Sequence, residues 1–179
     1  MMIPLAAIAA GCTSGNDANV ARGRGLKATS LSPAAEARVY EAAAGSAFDL
    51  GDPSLSLLLD PRRLTRAEGY APGPTVPSSV VAAMRDIGMI KGTCQPTIGG
   101  KRRTPLCKAA TPGYLLRFTD ILRVGGDTVE VYMAVRQYDT PSSGASAALE
   151  FERAYQVVGR GTSWRSIREA RIPKPDRPR

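Results

Sequence analysis

At 179 residues the chain suffices for one domain with short extensions and is too small for two well-cored ones. Its 43% hydrophobic and 22% charged residues describe a folded protein, and no apolar run reaches the ~18 residues of a membrane-spanning helix. Histidine is absent, which excludes His-based triads, imidazole bases and His metal sites, while a net charge of +8 makes anionic surfaces candidate partners.

The chain opens on Met1 to Gly11, whose apolar part, Ile3 to Ala10, is too short to cross a bilayer and suits the apolar region of an export signal. Ala9, Ala10 and Gly11 followed by Cys12 resemble the lipobox of bacterial lipoproteins, with Ala9 where Leu is usual. The resemblance implies that residues 1–11 are a signal segment and that Cys12 is the lipidated first residue of the mature chain. Thr13 to Asn19 is small and polar, so residues 12–31 are expected to form a flexible tether with a reach of roughly 25 Å.

Ser32-Pro33 then announces a helix, Ser as its N-cap and Pro in its first turn. The stripe of Val39, Ala43 and Ala47, flanked by Tyr40, Ala44 and Phe48, predicts a helix to about Phe48. Leu55 to Leu59 is an apolar run closed by Asp60-Pro61 and reads as a short buried strand. Arg62 to Pro74 has mixed charge followed by Gly and Pro and is expected to be loop. A second helix is predicted over Pro77 to Ile87, with Gly88 just past its end.

Setting Cys12 aside leaves Cys94 and Cys107. An even pair in an exported chain predicts a disulfide, and closing a loop of that size is worth about 3 kcal/mol. Two cysteines without histidine offer too few ligands for a metal; no metal and no cofactor is expected.

From Tyr114 the period becomes two. Tyr114 to Val124 reads as a strand with a bulge near Asp120, and Gly125-Gly126-Asp127 as a hairpin turn. Thr128 to Arg136 is the strongest strand, with Val129, Val131, Met133 and Val135 inward and Glu130 in water. Leu149 to Val158 and Ser163 to Ile172 complete a four-strand series, joined by Gly159-Arg160-Gly161-Thr162. The inward residues expected are Val39, Ala43, Phe48, Leu57, Leu59, Val81, Met84, Leu116, Phe118, the four of the strongest strand, Phe151 and Tyr155.

The expected architecture is therefore α+β: two N-terminal helices packed on one face of an antiparallel meander of about four strands, plus one short earlier strand. It forms a single domain over residues 32–172, before a disordered basic tail at 173–179. The closing pattern, an aromatic-bearing strand followed by Gly-x-Gly-x-x-Trp-Arg at 159–165, resembles the C-terminal half of NTF2-like and cystatin-like domains and of small secreted bacterial α+β lipoproteins. It carries no functional residue with it.

No catalytic residue stands out. Seven Lys/Arg against two acids fall between Arg160 and Arg179, and Arg165, Arg168, Arg171, Lys174, Arg177 and Arg179 are the candidate contacts to anionic lipid or polymer. Nucleic acid is disfavoured, since only Trp164 could stack among those charges. The function expected is that of an exported, lipid-anchored or periplasmic/extracellular domain of the cell envelope. It would be non-enzymatic and would bind a partner or small ligand. The alternatives are an NTF2-like enzyme using carboxylate and tyrosine residues, and a basic adaptor to anionic surfaces.

Overall fold

The Ser32 hydroxyl accepts the Ala35 N–H at 3.3 Å, and Pro33 sits in the first turn, where its missing N–H costs nothing. Helix α1 (Pro33–Ala44) follows in the computed structural model, which describes residues 26–64, 72–94, 113–138 and 148–170. It is shorter than its apolar stripe, because Gly45 closes it through bonds to Glu41 and Ala43 carbonyls. Helix α2 (Ser78–Asp86) stops where expected, with Gly88 at φ +74° just beyond it.

Ten strands accompany the two helices among the described residues. In the N-terminal half these are β1 (Lys27–Ala28), β2 (Leu57–Leu59), β3 (Arg62–Leu64), β4 (Pro72–Thr75) and β5 (Gly92–Thr93). Then come β6 (Gly113–Phe118), β7 (Leu122–Gly125), β8 (Thr128–Tyr138), β9 (Ala148–Arg160) and β10 (Ser163–Ala170). Eight of them form one mixed sheet curled into a half-barrel, and β3 pairs with β4 in a separate ribbon.

This architecture corrects the expected one. The antiparallel series β8–β9–β10 is present, but the sheet does not stop there. On the other side of β8 lie β6 and β7, and beyond them β2 and β1. Strand β2 runs parallel to both of its neighbours, β6 and β5. The described residues are mostly sheet, and the layout is not two helices on a four-strand meander. The missed strands β1, β3 and β5 are two or three residues long, too short to show a period. The stretch expected to be loop, Arg62 to Pro74, contains β3 and the start of β4. The prolines of β4 are tolerated because it belongs to a two-stranded ribbon, where its outer edge needs no donor. Leu26 to Leu31, the end of the expected tether, holds β1.

Every residue expected to face inward belongs to one apolar cluster, either buried in it or packed against it. Helix α1 closes that cluster by packing on α2 and on β8, β9 and β10. The opposite face of the sheet departs from expectation. Glu130 and Tyr132 are both 0% exposed, Ala154 is buried beside Tyr132, and Leu122 and Leu26 complete a second small cluster there. Strand β8 is thus buried on both faces, and Glu130 is not in water. Its carboxylate accepts from Gln156 Nε2 at 3.3 Å, and Gln156 Oε1 accepts from Arg168 Nε at 2.8 Å.

The Gly-x-Gly-x-x-Trp stretch also acquires a physical reason. Gly159 lies directly opposite Trp164, and a Cβ on Gly159 would meet the indole ring at 3.0 Å. Gly161 turns the chain at φ +62°.

Candidate functional site

Strand β2 is followed by Asp60, whose carboxylate is 3% exposed and ties down the chain that follows. Its oxygens accept from the Arg62 backbone N–H at 3.1 Å and from the Arg62 side chain at 2.9 and 2.7 Å. From β6, Arg117 donates to the Arg62 and Arg63 carbonyls at 2.7 and 2.9 Å. Residues alternate along β3, so fixing Arg62 beside Asp60 sends Arg63 to the other side.

Arg63 ends in a buried polar group contributed by three elements. Its Nη2 meets Glu36 Oε1 of α1 at 2.6 Å, and its Nη1 meets Asp120 Oδ1 at 2.9 Å. The same Nη1 donates to the Tyr40 hydroxyl at 2.9 Å, and that hydroxyl donates to Glu36 Oε1 at 2.8 Å. Glu36 and Tyr40 share a helical face because they are four residues apart, and the Tyr40 ring stacks on Phe118 with centroids 4.5 Å apart.

Asp120 reaches this group through the bulge expected from the sequence. Phe118 pairs with Met133 and Leu122 with Glu130, so three residues, 119–121, face two on β8. Thr119 secures the extra residue. Its Oγ1 accepts the Tyr132 N–H at 3.1 Å and donates to the Asp120 carbonyl at 2.8 Å.

Burial raises the Tyr40 pKa well above its ordinary value, so the phenol keeps its proton and acts as a donor. Burial also works against the Arg63 charge, but Tyr40, Glu36 and Asp120 outweigh it and its pKa is raised. The side chains of Glu36 and Arg63 are about nine-tenths buried, whereas that of Asp120 is 24% exposed. They form part of the wall of an open pocket of about 400 Å³, shared with Ser30, Leu31 and Ser79. Among the described lining residues, two carboxylates stand against one guanidinium. The arrangement can orient a polar ligand by charge and hydrogen bonding.

None of these residues was expected from sequence to form a site, although Tyr40 was read as part of the helix's apolar stripe and Asp120 as the mark of a bulge. Glu36 had a signal, an acid four positions before Tyr40 on an otherwise apolar stripe; Arg63 had none. Among the sequence candidates, Arg165 and Arg168 are exposed on β10. A register shift between Ser166 and Arg168 places them opposite Val158 and Gln156, hence on one face of the sheet. Cys94 is 2% exposed, its N–H bonded to the Leu59 carbonyl, and it is not a free thiol. Cys12, Cys107, Arg171, Lys174, Arg177 and Arg179 lie outside the described residues. Among the described residues no group of His, Cys, Asp or Glu could hold a metal ion, and no helix is long and apolar enough to cross a membrane. No family model, no curated protein and no solved structure matches the chain.

Proposed function

We propose that the chain is an exported, lipid-anchored domain that binds a small polar ligand in the Arg63 pocket without transforming it. The observation that carries this reading is the buried Glu36–Arg63–Asp120 group set into the wall of an open pocket. Buried ion pairs add little to stability over apolar packing of the same volume, so their presence at a ligand-sized opening favours recognition over support. The enzymatic alternative, built on carboxylate and tyrosine, fits the geometry less well. The Tyr40 hydroxyl is fully buried beneath the pocket and held protonated, and both carboxylates are engaged by one guanidinium. For export and anchoring the support is sequence alone, Ala9 to Cys12 and the polar stretch after it.

Two experiments test the halves separately. Cell fractionation with mass spectrometry of the mature N-terminus is expected to find an acylated Cys12 in the envelope; a soluble cytosolic chain beginning at Met1 would refute export. A ligand-observed NMR screen of polar metabolites compares the wild-type chain with the charge-free variant Glu36→Gln/Arg63→Met/Asp120→Asn. Hits are expected to vanish in the variant, and hits that persist unchanged would remove the pocket from the proposal.

A further inference from the structure

At the far end of α1 from the Arg63 pocket, the chain leaving the helix borders an open groove of about 430 Å³. Phe48 and Tyr114 contribute to its lining, their ring centroids 5.0 Å apart and tilted by 47°. Phe48 is braced from behind by Phe151, with centroids 6.4 Å apart. Asp49, Asp52, Leu55 and Gln137 belong to the same groove, and no Lys or Arg is among its described lining residues. In a chain of net charge +8, two carboxylates and no cation among the described lining residues set this groove apart.

Both acids are held in place by their own loop. Asp52 Oδ1 accepts the Ser54 N–H at 2.8 Å and the Ser54 hydroxyl at 2.7 Å, which keeps its pKa below the ordinary carboxylate value. Asp49 Oδ1 accepts the Gly51 N–H at 3.0 Å. Aromatic faces carry the negative side of the ring quadrupole, so the rings and the carboxylates attract the same sign of charge. The aromatic and aliphatic surface selects further. A divalent metal ion gains nothing from Phe48 or Leu55 and demands six or more oxygens, whereas an alkylated ammonium buries its carbons while its diffuse charge faces the acids.

We propose that this groove binds a small organic cation of the substituted-ammonium class, with Phe48 and Tyr114 taking its alkyl surface and Asp49 and Asp52 its charge. The test is a backbone-amide NMR titration of the intact chain with tetramethylammonium chloride, alongside sodium chloride and calcium chloride at matched ionic strength. Tetramethylammonium is expected to produce saturable shifts confined to residues 47–56 and 113–114. Asp49→Asn/Asp52→Asn, at exposed positions that leave the fold intact, is expected to weaken that binding roughly tenfold. Phe48→Leu is expected to weaken it as well. Shifts equally large with sodium chloride would reduce the effect to screening. Saturation by calcium instead would make the groove an inorganic cation site, and undiminished binding by the double asparagine variant would remove the carboxylates. Any one of these results overturns the proposal.

Discussion

Replacing Arg63 by methionine is the most direct probe of the buried polar group. The guanidinium makes ion pairs at 2.6 and 2.9 Å and donates to Tyr40 at 2.9 Å. Methionine is of similar length but leaves both carboxylates without the cation they share. Glu36, with 11% of its side chain exposed, cannot rehydrate, whereas Asp120 at 24% partly can. One uncompensated buried charge and one half-compensated charge imply a loss of about 3–4 kcal/mol. For a chain of this size that lowers Tm by about 10 °C. Removing all the charges together, in Glu36→Gln/Arg63→Met/Asp120→Asn, is expected to restore stability to within about 1 kcal/mol of the wild type. Urea unfolding followed by the fluorescence of Trp164, the only tryptophan, measures both variants. A loss below about 1 kcal/mol for Arg63→Met, or a triple variant as unstable as the single one, would refute the reasoning.

Three further outcomes follow from geometry already described, and a fourth from the cysteine count of the sequence. Glu130→Ala is expected to cost about 1–3 kcal/mol, because it removes a fully buried acceptor from the Gln156 amide; a loss of only a few tenths in urea unfolding would return that face to solvent. Gly159→Ala is expected to displace the Trp164 ring, shift its emission and cost about 1 kcal/mol, and an unchanged spectrum would contradict the contact. The native state holds the Tyr40 proton more tightly than the unfolded chain does. Its contribution to stability is therefore complete below pH ~10 and lost as pH rises beyond that, so Tyr40→Phe is expected to flatten the alkaline fall in Tm, and an identical fall in both chains would refute the assignment. Alkylation of non-reduced protein is expected to find Cys94 and Cys107 blocked as a disulfide, against which two labelled thiols would count.

How far sequence reaches into this fold depends on the reach of each signal. Local chemistry was readable. Ser32-Pro33 starts α1, Gly88 ends the α2 region, and the two-residue period of Thr128 to Arg136 identifies β8 and its inward face. Asp120 marks the bulge. What could not be read is pairing between distant short segments. Leu57–Leu59 shows its apolarity but not its parallel partners, which lie at Gly92–Thr93 and Tyr114–Leu116. Glu130 illustrates the converse, since alternation along β8 says which residues share a face but not whether the second face is covered. The candidate site depends on such distant meetings. Glu36, Arg63 and Asp120 come from a helix, a three-residue strand and a bulge, and no spacing in the chain links them.

The parallel pairing of β2 also sets a timetable for the growing chain. Residues are synthesised in order, and both helices are complete long before Tyr114 to Leu116 exist to flank β2, or Val129 to Val135 to face α1. Until then the N-terminal half has only the short β2–β5 and β3–β4 pairs and not the long strands its apolar stripes pack against, and contacts between such remote segments close slowly. A polypeptide released up to residue 112 is expected to remain extended and protease-sensitive. A body organised in this way stays open to threading through a narrow channel for as long as its last strands are unmade.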